Sequence, residues 1–423
     1  MQITSAAGAL AGVHSGDQLF VQGGAATPSV LLDALVARAD ELRDVSVIHF
    51  HTEGAAPHLA PEMAGHFRHK ALFIGANARL AVNEGRADYI PVFLSDVPQL
   101  FASDTLRLDG VLINVTPPDA HGFCSLGTSV DATLAAVRNA TMVIAQLNPR
   151  VPRTLGDTFI HVDEIDCGVE VNEPLKEHLE PPIGEAERHI GELVAGLVPD
   201  GATLQLGIGS IPSAIASALA DKRDLGIHSE LFTDAILDLV DSGALTGARK
   251  EVNRGKIVAT FLVGTQRLYD FVDDNPLVEL RPVDYTNDTA VIRRFSRMTA
   301  INSALQIDLS GQVSADSIGA QLYSGVGGQM DFIRGAALAS EGRAIIALPA
   351  TAARGTVSRI VPFLSQGAGV VTTRAHVRTI VTEYGIAELH GRTVGERARA
   401  LIGIADPRFR DELVAAARAA HYL

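Results

Sequence analysis

Apolar residues along this chain fall into two kinds of block, stretches with helical spacing and short runs that are apolar throughout. Residues 29–42, SVLLDALVARADEL, have apolar positions at helical spacing and end in charged residues, which predicts an amphipathic helix. The run VSVIHF at 45–50 predicts a short buried strand. Because strands alternate with helices in this way, the pattern indicates an α/β fold with mainly parallel sheets covered on both faces.

Further strand-like runs occur in both halves of the chain, separated by Gly, Pro, Asn and Asp. In the first half they are ALFIGANARLAV (71–82), YIPVFL (89–94), GVLINV (110–115) and TMVIAQL (141–147). In the second half they are ATLQLGIG (202–209), KIVATFLVG (256–264), AIIALP (344–349) and IVTEYG (380–385), with a predicted helix in IPSAIASALADK (211–222).

The two halves resemble each other. At a constant offset of 184 residues, Gly23 aligns with Gly207 and Pro28 with Pro212. After a shortening of 7 residues, His51-Thr52-Glu53 aligns with His228-Ser229-Glu230. The alignment predicts two related α/β domains. The alternative is a chance likeness between two strand–glycine–helix units.

The predicted join lies near residues 180–190. Pro181-Pro182 interrupts regular structure there, and Glu185 opens an amphipathic helix. We therefore expect one domain over residues 1–184 and a second over residues 185–423. A length of 423 residues suits two or three domains of roughly 150 residues each.

Composition excludes several classes of protein. The chain is 47% hydrophobic and 20% charged, so a packed core is expected, and its net charge of −14 argues against general affinity for nucleic acid or anionic membranes. Two cysteines exclude a disulfide framework and suit a reducing, cytoplasmic compartment. The first residues, MQITSAAGALAG, lack a basic region before an apolar stretch, so we expect no signal peptide. No apolar run reaches roughly 18 residues, so we expect no membrane span. HExxH and CxxC pairs are also missing, so we expect no dedicated metal site.

The first candidate for chemistry is the segment LQLGIGSIPSAIASALA, residues 204–220. A predicted strand runs into Gly207-Ile208-Gly209-Ser210 and then into a helix. Glycines allow a sharp turn and close approach of a ligand, and the helix amides favour an anionic group. An ordinary turn between strand and helix remains the alternative.

The second candidate is Glu230 in GIHSELFTD, residues 226–234. It follows a short predicted strand, and ligands of open parallel sheets bind beyond the carboxyl ends of strands. A carboxylate there serves as base, metal ligand or covalent nucleophile. A solvated glutamate or a helix cap is the structural alternative.

The third candidate is the glycine loop in SGVGGQMDFIRGA, residues 324–336. Its backbone amides are suited to stabilising an oxyanion or lining a thioester, whereas a plain glycine-rich turn is the alternative.

His121 and Cys124 suggest a thiol nucleophile, but a structural loop is the preferred interpretation. The acids Asp163, Glu164 and Asp166 are interpreted as a solvated strand edge.

Taken together, these segments resemble the acetyl-CoA hydrolase/transferase family of class I CoA-transferases, especially its 4-hydroxybutyrate CoA-transferase-like branch. The resemblance covers nearly the whole chain. It is carried by HTEGAAPH, NEGRADYIPVFLSDVP, TPPDAHGFCSLGTSVDA, LQLGIGSIP, GIHSELFTD, INSALQIDLSGQV, GVGGQMDFIRGA and VTEYGIAELHGRT.

The resemblance implies two open α/β domains of NagB/RpiA-like fold, with the active site between them and a homodimer or dimer of dimers as the assembly. It places the catalytic glutamate at Glu230. The internal repeat offers Glu53 as a competing carboxylate, but in this family the nucleophile comes from the second domain, so Glu53 is assigned to lining the substrate cleft or to structure. The resemblance also implies contacts to coenzyme A (CoA) at Gly207, Ile208, Gly209, Ser210 and Ile211. Gly328 is implied as a contact to CoA or to an oxyanion, and Arg354 as a contact to CoA or to a carboxylate. Some family members have lysine where this chain has Arg354, which keeps the charge but changes its geometry.

The implied activity is CoA transfer between a short-chain acyl-CoA and a free carboxylate through a glutamyl-CoA thioester. CoA is then a co-substrate, and no tightly bound cofactor is expected. The favoured substrates are acetyl-CoA or acetate with 4-hydroxybutyrate or a butyrate-like acid. An acyl-CoA hydrolase on the same scaffold is the second hypothesis, and a non-catalytic CoA- or sugar-phosphate-binding module is the third.

Overall fold

The computed structural model describes residues Met1–Leu423, which form two compact units. The first unit consists of Met1–Leu179 and Val258–Thr286, and the second of Glu180–Ile257 and Asn287–Leu423. The chain passes from the first unit to the second close to the predicted join. It also returns to the first unit at Val258, so each unit is discontinuous in sequence. The division into consecutive domains 1–184 and 185–423 stays a prediction.

The strands are short, as the brief apolar runs predicted. Those of the first 200 residues are β1 (Gln2–Ile3), β2 (Gln18–Val21), β3 (Val45–His49), β4 (Phe67–Ala71), β5 (Ala87–Tyr89), β6 (Gly110–Val115), β7 (Phe123–Ser125), β8 (Val143–Leu147), β9 (Phe159–His161) and β10 (Cys167–Glu170). Those that follow are β11 (Thr203–Gln205), β12 (Gly226–His228), β13 (Leu231–Phe232), β14 (Ile257–Ala259), β15 (Phe261–Leu262), β16 (Val278–Leu280), β17 (Met298–Asn302), β18 (Gln306–Asp308), β19 (Val313–Ser314), β20 (Ser317–Ile318), β21 (Gln321–Leu322), β22 (Arg343–Ala347), β23 (Thr351–Ala352), β24 (Val357–Ser358), β25 (Ile360–Val361), β26 (Thr379–Thr382) and β27 (Gly385–Glu388).

Fourteen α-helices connect and cover the strands. They are α1 (Ala6–Ala9), α2 (Ser29–Val36), α3 (Arg79–Asn83), α4 (Val97–Ala102), α5 (Thr133–Asn139), α6 (Glu185–Leu197), α7 (Ser210–Ala218), α8 (Asp234–Asp241), α9 (Gln266–Val272), α10 (Val283–Thr286), α11 (Thr289–Ile292), α12 (Gln329–Leu338), α13 (Val394–Gly403) and α14 (Arg410–Ala419).

Each unit is built on a mainly parallel sheet, which confirms the predicted α/β fold. In the first unit the strand order is β1-β10-β8-β6-β2-β3-β4-β5, and all neighbours are parallel. In the second unit the order is β12-β11-β17-β22-β26-β27, parallel except for the last pair. The internal repeat falls on equivalent elements, since β2 leads to α2 as β11 leads to α7.

Each sheet has its own apolar core. In the first unit Leu19 of β2 and Leu31 of α2 are fully buried in one cluster of side chains. In the second unit Met298 of β17 and Phe332 of α12 belong to another such cluster. The cores hold the strands in register, and thereby fix where each strand ends.

Two predicted strands are corrected. The run 71–82 forms a strand only up to Ala71, and its second part, which is rich in Ala and Leu, forms α3 after a turn closed by hydrogen bonds from Ala78 and Arg79 to the Gly75 carbonyl. The run 89–94 contributes only Tyr89 to a strand. Pro91 follows, and a proline has no backbone N–H for the ladder.

Candidate active site

Glu230 lies where β12 ends, beside the carboxyl end of β11. The two strands are parallel, with Thr203 opposite Gly226 and Leu204 opposite Ile227. Ser229 connects the two ends, because its Oγ donates to the Leu206 carbonyl at 3.1 Å and accepts from the Leu231 amide at 3.3 Å. The glycine loop after β11 and Glu230 after β12 therefore share one edge of the sheet, the edge at which open α/β sheets bind ligands.

Three groups of the second unit surround the Glu230 carboxylate. Nδ2 of Asn287 donates to Oε1 at 2.9 Å. The backbone N–H of Gly328 donates a further hydrogen bond to the carboxylate. Asp331, in the first turn of α12, accepts from the same Asn287 nitrogen at 3.1 Å. The structure thus brings Glu230 and Gly328, two of the predicted site residues, into direct contact.

These surroundings raise the pKa of Glu230 to about 7. Burial is the largest cause, because it removes water from the charged form. The negative charge of Asp331 raises the pKa further, whereas the hydrogen bonds from Asn287 and Gly328 lower it. A carboxylate with this pKa is more basic than an exposed one and is still half-ionised near neutral pH. Both properties suit a nucleophile.

The loop Gly207–Ile211 has the conformation that its glycines allow. Gly209 has a φ of +112°, which a residue with a Cβ adopts only with strain. α7 begins at the next residue, and Ile208 is 42% exposed. The Gly209 amide is occupied in this structure, since it donates to Oε2 of Glu180 at 2.9 Å. The loop therefore presents an amide that already holds a carboxylate.

A close helix–helix crossing fixes this loop from behind. A Cβ at Gly191 of α6 would lie 2.7 Å from the Ala214 carbonyl oxygen of α7. Only glycine allows the two backbones to approach so closely. The position of α7, and hence of the loop at its N-terminus, depends on this contact.

Arg354 is placed apart from Glu230. It lies in the turn between the antiparallel strands β23 and β24, with a φ of +57°, and its side chain is exposed. It makes no hydrogen bond or ion pair with Glu230. The structure therefore brings together Glu230 and Gly328, and it sets Gly207–Ile211 on the neighbouring strand end. Arg354 is not among these contacts.

Glu53, the competing carboxylate in the first half of the chain, has different surroundings. His51 Nε2 lies 2.8 Å from Oε1 of Glu53, and Thr27 Oγ1 accepts from the Glu53 amide at 3.2 Å. The hydrogen bond from His51 lowers the pKa of Glu53, opposite in direction to the shift at Glu230. A carboxylate stabilised in its charged form is the weaker nucleophile of the two.

Other suggested groups have structural surroundings. Cys124 is fully buried in β7, and burial raises the pKa of its thiol to about 11, so the thiolate is scarce at neutral pH. Asp166 accepts a hydrogen bond from the Val143 amide at the start of β8. No group of three or more His, Cys, Asp or Glu side chains has the arrangement of a metal site. None of the helices combines the length and apolar character needed to cross a membrane.

Sequence reasoning missed Asn287, Asp331 and Glu180. Asp331 lies within the motif GVGGQMDF, but that motif was interpreted only through its glycines, so the aspartate was overlooked. Asn287 stands alone between two short helices, and no spacing connects it with a residue 57 positions earlier. Only the folded chain shows that its amide belongs to the site.

Comparison with known proteins identifies the family. Residues 1–177 match the model of the acetyl-CoA hydrolase/transferase N-terminal domain, and residues 264–417 match that of the C-terminal domain. These two domains define a class of α/β enzymes that act on acyl-CoA compounds. The chain belongs to the acetyl-CoA hydrolase/transferase family, as its motifs predicted.

Individual relatives agree with this assignment. The chain is 50% identical over 387 residues to the 4-hydroxybutyrate coenzyme A transferase of Clostridium kluyveri, covering 92% of this chain and 90% of the relative. It is 49% identical over 410 residues to the succinyl-CoA:acetate/propanoyl-CoA:succinate CoA transferase of Fasciola hepatica, covering 96% and 85%. The crystal structure of RipA from Yersinia pestis superposes with a TM-score of 0.94 at 36% identity, covering 100% of this chain and 98% of RipA.

Proposed function

We propose that this protein transfers CoA between a short-chain acyl-CoA and a free carboxylate, with Glu230 as the covalent nucleophile. The observation that carries the proposal is the contact between Glu230 and two hydrogen-bond donors, the Gly328 amide and the Asn287 side chain. The activity agrees with that of the two relatives described above, both of which are named as CoA transferases.

The reaction follows from what the Glu230 carboxylate is able to do. One oxygen of Glu230 attacks the thioester carbonyl carbon, the C–S bond breaks, and CoA leaves as a thiolate. The product is a mixed anhydride between Glu230 and the acyl group. The thiolate then attacks the Glu230 carbonyl carbon, and the anhydride C–O bond breaks to release the first acid. The resulting glutamyl-CoA thioester is converted to the new acyl-CoA when an incoming carboxylate reverses these two steps.

The two donors on Glu230 are well placed for the second half of this sequence. When the thiolate attacks the Glu230 carbonyl carbon, negative charge develops on an oxygen of Glu230 itself. In the resting enzyme, Asn287 and the Gly328 amide already donate to the Glu230 carboxylate, so no reorganisation is needed. The exchange replaces one thioester with another, so its direction follows the concentrations of the two acids.

CoA is proposed to bind as a co-substrate at the glycine loops. Gly207, Ile208, Gly209, Ser210 and Ile211 lie at the strand end next to Glu230, and Gly328 lies against the nucleophile. We also propose that Arg354 contacts an anionic part of the ligand, although it does not contact Glu230 in the structure. Binding the remote parts of CoA holds the thioester against Glu230, which contributes to the rate. A cytoplasmic location and a homodimer or dimer of dimers remain predictions.

The proposed acids are acetate on one side and 4-hydroxybutyrate or a butyrate-like acid on the other. The relative from Clostridium kluyveri is named for 4-hydroxybutyrate, and the one from Fasciola hepatica for succinate, acetate and propanoyl-CoA. Their identities to this chain are 50% and 49%, so overall similarity does not rank the acids. A direct assay has to decide between them.

The test is to incubate acetyl-CoA with 4-hydroxybutyrate, butyrate, propionate or succinate and to follow new acyl-CoA, acetate and free thiol. We expect new acyl-CoA and acetate in equal amounts, and none with a Glu230→Gln variant. Equal release of thiol and acetate without new acyl-CoA would establish hydrolysis instead. Binding of CoA without turnover, unaffected by Glu230→Gln, would establish a non-catalytic binding module.

A second measurement locates the nucleophile. Acid-quenched enzyme digested after mixing with acetyl-CoA should contain CoA linked to the peptide with Glu230. A Glu53→Gln variant is the matched control and should still form this adduct. An adduct on Glu53 would move the nucleophile to the first half of the chain.

A further inference from the structure

The amide group of Asn287 lies between two carboxylates. Its Nδ2 is 2.9 Å from Oε1 of Glu230 and 3.1 Å from Oδ2 of Asp331. Asn287 is fully buried, and Asp331 is only 6% exposed. An amide nitrogen carries two hydrogens, so one is available for each carboxylate. Asp331 is therefore linked to Glu230 through a shared donor.

We propose that Asp331 is a positioning residue with two effects: it orients the Asn287 amide towards Glu230, and its charge favours the covalent states of Glu230 over the free carboxylate. This inference rests on the function proposed above, because it concerns the same nucleophile.

The orienting effect follows from hydrogen-bond chemistry. An ionised carboxylate accepts hydrogen bonds and donates none, so Asp331 holds the NH2 end of Asn287 towards both carboxylates and its carbonyl oxygen away. Asp331 is also in the first turn of α12, three residues after Gly328. One helix end therefore sets both donors on Glu230, the Gly328 amide directly and the Asn287 amide through Asp331.

The charge effect follows from which states of Glu230 are ionised. In the free enzyme, two carboxylates share one donor and repel each other. In the anhydride and in the thioester, Glu230 carries no charge, so this repulsion is absent. In the anhydride the negative charge is on the CoA thiolate, and it leaves with the released acid when the thioester forms. Repulsion from Asp331 thus raises the free energy of the free carboxylate relative to the thioester.

Asp331 is the only formal charge among the groups that shift the pKa of Glu230. The others are burial, the Asn287 side chain and the Gly328 amide. The free-energy change of the thioester exchange is close to zero, because one thioester replaces another. A single charge close to the nucleophile is therefore sufficient to change how much enzyme is present as the thioester.

The test compares wild type with Asp331→Asn, Asp331→Glu and Asp331→Ala. Asparagine at 331 keeps an oxygen that accepts from Asn287 but removes the charge, glutamate keeps the charge, and alanine removes both. The first readout is the ratio of glutamyl-CoA thioester to free enzyme at a fixed ratio of acetyl-CoA to acetate, from intact mass after acid quench. The second readout is the acid limb of the kcat/KM profile against pH.

We expect Asp331→Asn to lower the thioester ratio by about 3- to 10-fold and to shift the acid limb down by about 0.5–1 pH unit, because each unit of pKa corresponds to a tenfold change in this equilibrium. Asp331→Glu should keep both readouts near wild type. Asp331→Ala should shift both readouts less than Asp331→Asn does, because the misoriented Asn287 amide no longer lowers the pKa of Glu230, and it should lose kcat as well. Asp411→Asn is the matched control, since Asp411 is an exposed aspartate in the first turn of α14.

The outcomes separate this inference from the proposed function. If wild type forms no thioester, the proposed function fails. If wild type forms the thioester and folded Asp331→Asn enzyme, judged by circular dichroism, leaves both readouts unchanged, the charge effect is wrong. If Asp331→Ala and Asp331→Asn have the same kcat, the orienting effect is wrong. If the acid limb of kcat/KM moves to lower pH in Asp331→Glu, which keeps the charge, the role of charge is also contradicted.

Discussion

Gly328 and Glu230 approach so closely that no side chain fits between them. A Cβ built on Gly328 would overlap Oε1 of Glu230 and Nδ2 of Asn287. The closeness is what allows the Gly328 amide to donate to the carboxylate. The glycine is therefore required by packing against the nucleophile, and a left-handed backbone is not involved.

Gly328→Ala is expected to reduce transfer strongly, because the new methyl group displaces Glu230 or the donor amide. Removing one oxyanion donor costs on the order of 10²- to 10³-fold in kcat. The measurement is the steady-state rate of new acyl-CoA formation. Gly196→Ala is the matched control, since nothing lies within 4 Å of a Cβ at Gly196 in α6. That variant should keep full activity and gain about 0.5–1 kcal/mol of stability, as alanine does over glycine within a helix.

Glu230→Gln is expected to abolish transfer and to stabilise the protein at alkaline pH. The pKa of Glu230 is about 7 in the folded protein, against 4.5 for an ordinary glutamate. Between these values the folded protein holds a proton that the unfolded chain has lost, so this group's contribution to stability is present below pH 4.5 and is lost as the pH rises to 7.

Glutamine does not ionise, so Glu230→Gln avoids the stability that wild type loses when Glu230 becomes charged. At pH 8 the unfolding free energy of the variant should be higher than that of wild type by on the order of 1–3 kcal/mol, and at pH 4.5 the difference should be much smaller. Urea unfolding at both pH values measures the difference. Glu192→Gln, at an exposed position of α6, is the control. An equal effect of Glu230→Gln at the two pH values would contradict the raised pKa.

Asn287→Ala is expected to move the acid limb of the activity profile to higher pH. The Asn287 hydrogen bond lowers the pKa of Glu230, so its loss raises that pKa and leaves less nucleophile ionised at neutral pH. The shift should be about 0.5–1 pH unit and opposite in direction to that of Asp331→Asn. The kcat/KM profile measures it, with Asn139→Ala on the exposed face of α5 as control. A shift towards acid would contradict the arrangement.

Glu180→Gln is expected to strengthen binding of acyl-CoA. The Glu180 carboxylate occupies the Gly209 amide, where the proposed CoA contacts lie, and its charge opposes an incoming phosphate. Removing the charge should lower KM for acetyl-CoA about 2- to 5-fold with little change in kcat, the scale of a partly exposed charge interaction. Glu192→Gln should change neither constant. A higher KM would indicate that Glu180 supports the loop.

A buried histidine cluster in the first unit is expected to make the protein sensitive to acid. His58 Nε2 lies 2.9 Å from His69 Nδ1, and the ring centroid of His49 lies 4.3 Å from that of His69. Burial lowers the pKa of His58 to about 4 and of His69 to about 3, and it lowers that of His49 as well. Below pH 6.5 these histidines are protonated in the unfolded chain but stay neutral in the folded protein. The free energy of unfolding therefore falls as the pH drops from 6.5 towards 4.

His49→Leu tests this. Neither ring nitrogen of His49 has a hydrogen-bond partner, so leucine removes one titrating group without breaking a bond. The slope of unfolding free energy against pH between 6 and 5 should fall by about 1.4 kcal/mol per pH unit. His14→Leu, at an exposed position, should leave the slope unchanged. An unchanged slope in His49→Leu would mean that His49 is not part of the acid response.

The local sequence pattern was sufficient to predict many elements of the fold. Apolar runs predicted the ends of β3, β6, β8 and β22 to within one or two residues, and Glu185 was correctly predicted as the start of α6. The strand predicted over 71–82 failed because the last four residues of that run belong to α3. Short apolar runs leave the choice between strand and helix to neighbouring contacts.

The sequence by itself determined the α/β class, the repeated strand–loop–helix unit, the family, and Glu230 and Gly328 as site candidates. All of these depend on residues close together in the chain or on motifs. Only the tertiary structure decided that Asn287 and Asp331 surround Glu230, that Glu180 occupies the Gly209 amide, and that the pKa of Glu230 is raised. Burial and the approach of residues far apart in sequence set a pKa, and neither exists until the sheet is folded.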